Sequence, residues 1–162
     1  MDYESQSKQM LQIEERLDAK YQATPYPAFA HLLMAKGQVS AQHYDKAIEQ
    51  LDWVIAQSKV EDFKDMAAVR KARILAAQKH YDQALSVLGA INNTSYTAMI
   101  ATVKGDIFNA QGDSKQAKKQ YAIASKALTD IGAKDPLLAM KQAQFNVSTL
   151  PATTAAPQDK VK

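Results

Sequence analysis

The chain is 162 residues long, 46% hydrophobic and 23% charged, with a formal net charge of +3. That is enough for one domain with its own core. Without cysteine it can form no disulfide, thiolate nucleophile or zinc–thiolate site, and it has no apolar run of roughly 18 residues that could cross a bilayer as a helix. Its lysines and its three arginines (Arg16, Arg70, Arg73) lie among acidic residues instead of clustering with stacking aromatics, so no nucleic-acid surface is expected.

The opening Met1-Asp2-Tyr3-Glu4 is acidic and has no hydrophobic stretch, so it does not read as a signal peptide. Residues 3 to 22 predict a helix, with Met10, Ile13, Leu17 and Tyr21 forming one apolar stripe at spacings of three and four. Thr24-Pro25-Tyr26-Pro27 breaks it, because proline removes a donor and disfavours helical geometry in the residue before it. A helix from about Ala28 carries Phe29, Leu32, Leu33, Met34 and Ala35. A turn is expected between Gly37 and Gln42, and a second helix from Tyr44 carries Ala47, Ile48, Leu51, Val54 and Ile55.

The pattern then recurs. From about Asp65 a helix carries Met66, Val69, Ala72, Ile74 and Leu75. A partner from Tyr81 carries Ala84, Leu85 and Leu88, with Gly89 as a candidate left-handed C-cap. Asn92 to Ser95 read as a turn, and Asn92-Asn93-Thr94, though a glycosylation sequon, is read the same way. The third copy, about Ala98 to Thr129, places Gly105 and Ala117 where two helices come close, beside Phe108 and Tyr121. Asp135-Pro136 looks like an N-cap and first helical residue, opening a helix through Leu137, Leu138, Met140, Ala143, Phe145 and Val147. Residues 151–162 have no periodicity and are expected to be a disordered tail.

Ala47, Ala84 and Ala117 head equivalent motifs (Tyr44-Asp45-Lys46-Ala47, Tyr81-Asp82-Gln83-Ala84, Asp113-Ser114-Lys115-Gln116-Ala117). They stand 37 and 33 positions apart (84 − 47 and 117 − 84). A period of about 34 is that of tetratricopeptide helix pairs. The expected fold is therefore all-α: about eight helices in a tetratricopeptide-like array, curled into a right-handed superhelix. Stacked repeats leave an apolar face open at each end, so the first and last helices are expected to act as caps.

Such arrays hold other polypeptides on the concave face lined by the first helix of each pair. With Ala28, Asp65 and Ala98 as position one, the candidate groove is Phe29, Leu32, Lys36 and Val39; Met66, Val69, Arg73 and Ala76; and Met99, Thr102, Asp106 and Asn109. It is apolar with one polar row, Lys36, Arg73 and Asp106. Adaptable methionines suit varied apolar partners, and a helical segment could lie in it. The competing reading is that a terminal helix of the same chain covers these positions.

No catalytic machinery is visible. There is no phosphate loop and no nucleophile elbow, and the acidic pairs Glu14-Glu15 and Glu61-Asp62 have no catalytic setting. His43 and His80 share one repeat position but lack further ligands, so no metal or cofactor is expected. Trp53 is expected to pack between repeats.

The motifs resemble YfgM-type ancillary subunits of the bacterial secretion translocon over roughly residues 15 to 150. The residues that carry the likeness are Ala19-Lys20-Tyr21, Ala28-Phe29-Ala30-His31-Leu32-Leu33-Met34-Ala35, Ala67-Ala68-Val69-Arg70-Lys71-Ala72-Arg73-Ile74-Leu75, the two Tyr-Asp motifs, and Gly105-Asp106-Ile107-Phe108-Asn109-Ala110-Gln111-Gly112-Asp113. The resemblance implies a periplasmic domain behind a single membrane helix, with the translocon, periplasmic folding factors and exported polypeptides as partners. That helix is not in this sequence, and the expectation is that it precedes Met1 in the native chain. Residues 1–22 then form a capping helix or linker to the anchor, residues 23–150 the repeat domain with its C-terminal cap, and residues 151–162 the tail. The alternative is a soluble structural adaptor of another envelope assembly, such as a pilus or outer-membrane machine.

Overall fold

A computed structural model describes the backbone of residues 3–147 and the side chains of 8–145. The expected tail, 151–162, lies outside the described residues. Eight α-helices follow one another: α1 (Tyr3–Tyr21), α2 (Tyr26–Ser40), α3 (Tyr44–Gln57), α4 (Glu61–Ala77), α5 (Tyr81–Gly89), α6 (Thr97–Ala110), α7 (Ser114–Asp130) and α8 (Pro136–Val147). A 3₁₀ turn, Thr94–Tyr96, precedes α6. The described chain is all-helical and tetratricopeptide-like, as its period requires. α2–α3, α4–α5 and α6–α7 are the three pairs, α1 leans on α2, and α8 lies on α7.

The turn inside each pair has one construction. Gln42, Lys79 and Gly112 take positive φ of 61°, 65° and 81°. The next residue's N–H reaches back five positions: His43 to the carbonyl of Gln38, His80 to Leu75 and Asp113 to Phe108, at 2.8–2.9 Å. These are Schellman ends, which satisfy the orphan carbonyls of the first helix. They differ in one respect: repeats one and two place a side-chain-bearing residue where glycine is the easy choice. The turn also lies later than expected, because α2 continues through Gly37 to Ser40. Gly89 is the last residue of α5 and its φ is not positive, so it is no left-handed cap.

The unequal spacing has a simple origin. α3 and α4 have 14 and 17 residues, but α5 and α6 only 9 and 14. The long α5–α6 connector partly makes up the difference, and it is tied down. Asn93 donates to Asp62 and Asp65, and the Tyr96 hydroxyl donates to the Asp62 carbonyl at 2.9 Å. Burial, followed by the charges of Asp62 and Asp65, pushes the Tyr96 phenol above its ordinary pKa.

Ala47, Ala84 and Ala117 are each 0% exposed, so the motif alanines are the points of closest helix contact. Opposite them lie Ala35, Ala72 and Gly105, all buried. A Cβ on Gly105 would overlap the buried Tyr121 ring. Three apolar clusters follow along the array, centred on Leu32–Leu51–Val54, on Val69–Leu75–Leu88–Ile107 and on Ala101–Tyr121–Leu138.

Candidate functional site

The predicted groove residues divide into three groups. Leu32 and Val69 are core, 5% and 1% exposed, and so are not part of the surface expected of them. Each sits a turn too deep, facing its partner helix. Met66 is half-buried against the first core cluster, as is Ala76 against the second. Phe29, Lys36, Val39, Arg73, Met99 and Asn109 are exposed, and Thr102 is half-buried with its hydroxyl donated to the Ala98 carbonyl.

Lys36, Val39 and Arg73 come together. With Ala35, Ser40, Leu51, Arg70 and Ile74 they line a cleft of about 240 Å³ between α2 and α4, the first helices of repeats one and two. Its floor is aliphatic and its rim carries three cations. Arg70 lies outside the predicted row Lys36–Arg73–Asp106. A position three before Arg73 on a helix shares its side, which is the signal that could have found it. Up the same face of α2, Leu33 and Phe29 are 56% and 61% exposed and extend the apolar strip.

At repeat three α8 reaches the groove through one side chain, while Met99 and Asn109 stay exposed. Lys141 of α8 donates to both Asp106 oxygens at 2.5 and 2.6 Å, and the Tyr121 hydroxyl donates to Asp106 at 2.7 Å. Burial and the adjoining Asp106 carboxylate push the Tyr121 phenol upward in pKa. Leu138 is 2% exposed in the same cluster, and Asp135 caps α8 by accepting from the Leu137 N–H at 2.9 Å. Asp106 is therefore tied to the C-terminal helix by an ion pair, its side chain still 42% exposed.

The N-terminal helix docks by other means. The stripe Met10, Ile13 and Tyr21, expected to pack, is 46–56% exposed. The buried contact is polar: His31 of α2, 3% exposed, meets Asp18 through Nε2 at 3.2 Å, and Glu14 and Gln50 through Nδ1 at 3.0 and 2.6 Å. Burial is the main cause raising the Glu14 pKa, and His31 opposes it. Trp53 stacks on the His31 ring of repeat one at 3.8 Å and packs against the first core cluster, which includes Ala67 and Ile74 of repeat two. His43 and His80 are simply N-caps of α3 and α5. Among the described residues no three His, Asp or Glu side chains gather as a metal site, and no helix is long and apolar enough to cross a membrane.

Helix pairs stacked in register, with an open cleft between successive first helices, define a helical-repeat protein. The chain belongs to the tetratricopeptide repeat-like domain family, whose family model matches residues 2–147. Among curated relatives it is 32% identical over 126 residues to a Neisseria gonorrhoeae protein, covering 78% of this chain and 60% of that one. It is 28% identical over 102 residues to an Escherichia coli protein, covering 63% and 50%, and 31% identical over 104 residues to one from Haemophilus influenzae, covering 64% and 51%. All three carry the name ancillary SecYEG translocon subunit, which bears out the resemblance read from the motifs. The chain spans 60% or less of the length of these relatives. No solved structure matches it.

Proposed function

We propose that this chain is the non-catalytic, protein-binding domain of an ancillary subunit of the secretion translocon. It works at the periplasmic face of the inner membrane, where its concave side contacts exported polypeptides or folding factors. One observation carries the binding role. The apolar strip Phe29–Leu33–Val39 and the adjoining cleft stay open to solvent across repeats one and two, whereas at repeat three Asp106 of the polar row is already paired with Lys141 of α8. An exposed apolar face on a folded domain marks an interaction surface. The attachment to the translocon is supported by the names of the relatives and by the fact that the aligned part is this repeat domain. Membrane attachment then comes from outside the described helices.

The test is photocrosslinking from position 29 or 99 of the native full-length protein in living bacteria, with adducts identified by mass spectrometry. Adducts to translocon subunits, folding factors or proteins in export are expected. Only intramolecular adducts, or partner adducts solely from an outer-helix position such as 118, would overturn the concave-face reading.

A further inference from the structure

Among the described residues Lys64 sits against Glu61, Lys71 against Asp52, Lys126 against Asp130 and Lys141 against Asp106. The α2–α4 cleft instead gathers cations with no carboxylate beside them. Lys36, Arg70 and Arg73 share its rim, none of them forms an ion pair among the described residues, and no carboxylate lines the cleft. Three like charges around an aliphatic floor repel one another, and the repulsion is relieved when an anion arrives. Guanidinium groups favour a carboxylate, which they can hold by two parallel hydrogen bonds. Ala35, Val39, Leu51 and Ile74 give the floor nothing polar to offer. At about 240 Å³ the cleft is smaller than the roughly 300–1,000 Å³ that holds a drug-sized molecule. It fits one or two side chains of a longer ligand.

From this charge complementarity we infer that the cleft selects acidic–apolar peptide segments: an aliphatic side chain enters the floor while a neighbouring Asp or Glu carboxylate is held by Arg70, Arg73 and Lys36. This rests on the concave face being a peptide groove and adds which peptides it prefers. The open strip Phe29–Leu33 continues from the cleft along α2, so the rest of the segment has apolar surface to follow.

The test uses the 162-residue chain and fluorescence polarisation with three labelled peptides that alternate Leu with Glu, Gln or Lys. The Leu/Glu peptide is expected to bind about tenfold more tightly than the Leu/Gln peptide in low salt, with the advantage shrinking as ionic strength rises. Arg70→Gln, Arg73→Gln and Lys36→Gln should each weaken it about twofold to fivefold, narrowing the gap between the Leu/Glu and Leu/Gln peptides. All three side chains are exposed, so the variants should melt no lower than the parent. Equal affinity for the Glu and Gln peptides, or loss of both together in the variants, overturns the inference. So does binding to vesicles of equimolar phosphatidylcholine and phosphatidylglycerol that the same substitutions abolish while no peptide binds. Cellular crosslinks from position 29 without a Glu preference in vitro would sink this inference alone and leave the translocon reading standing. A Glu preference without those crosslinks would do the reverse.

Discussion

At the C-terminal end α8 lies on repeat three through a buried leucine, with the Lys141–Asp106 pair at its edge. At the N-terminal end α1 lies on repeat one through Glu14 and Asp18 around a buried histidine, and its Met10, Leu11 and Ile13 remain about half exposed. Both helices cap an open end of the stack, but only α8 places apolar side chains, Leu138 and Phe145, in a core cluster. Buried polar contacts gain little net free energy, because what they make on docking they already had with solvent. The expectation is a C-terminal cap that unfolds with the array and an N-terminal cap that can release on its own.

The largest effect should come from Leu138→Ala. It empties a fully packed position and should cost about 2–5 kcal/mol, seen as a lower melting temperature of the whole domain. A loss confined to α8 amide protection would mean the C-terminal cap is as detachable as the other. Gly105→Ala comes next. Its Cβ meets the Tyr121 ring, which cannot yield without disturbing the Asp106 hydrogen bond, so about 1–3 kcal/mol should be lost. Unchanged thermal stability would show that α6 and α7 approach less closely than described.

Glu14→Gln probes the other end through pH. Its carboxyl is raised in the docked state, burial being the first cause and His31 opposing it. The docked helix therefore holds this proton more tightly than the free one. That contribution is fully present below the ordinary carboxylate value, about pH 4, and is lost as pH rises through the raised one. Followed by hydrogen exchange of α1 amides from about pH 4 to 7, the variant should gain protection relative to the parent as pH rises. A growing deficit instead would mean that attraction to His31 outweighs burial. The smallest effect belongs to the turns. Gln42→Gly gives repeat one the residue type that repeat three already has in its left-handed position, and should add about 0.5–1 kcal/mol in a denaturant melt.

The repeat pairs were legible because their signal is redundant. A small residue at each crossing and an aromatic or polar start to each second helix recur at Ala47, Ala84 and Ala117, and one period aligns them. What could not be read was depth. Leu32 and Phe29 are three apart and equally apolar, yet one is core and the other faces solvent, because a shift of a fraction of a turn decides which faces α3. The docking of α1 misled for a related reason. Periodicity marked Met10, Ile13 and Tyr21 as the inner face, whereas the tie is made by Glu14 and Asp18 to His31, a contact between charges far apart in sequence that no local pattern encodes. The cleft was half visible: Lys36, Val39 and Arg73 were in the predicted row, but the cation count needed Arg70, and the loss of Asp106 to Lys141 needed α8 to be seen in place.

The α2–α4 cleft sets a length. It lies between two successive first helices, and a surface two helices wide is roughly 20 Å at ordinary interaxial spacing. An extended strand covers that distance in about six residues. Under the role proposed here, the domain would read a chain through a six-residue window. It would see local composition and never a folded shape, and each stretch would be let go as the next one came into view.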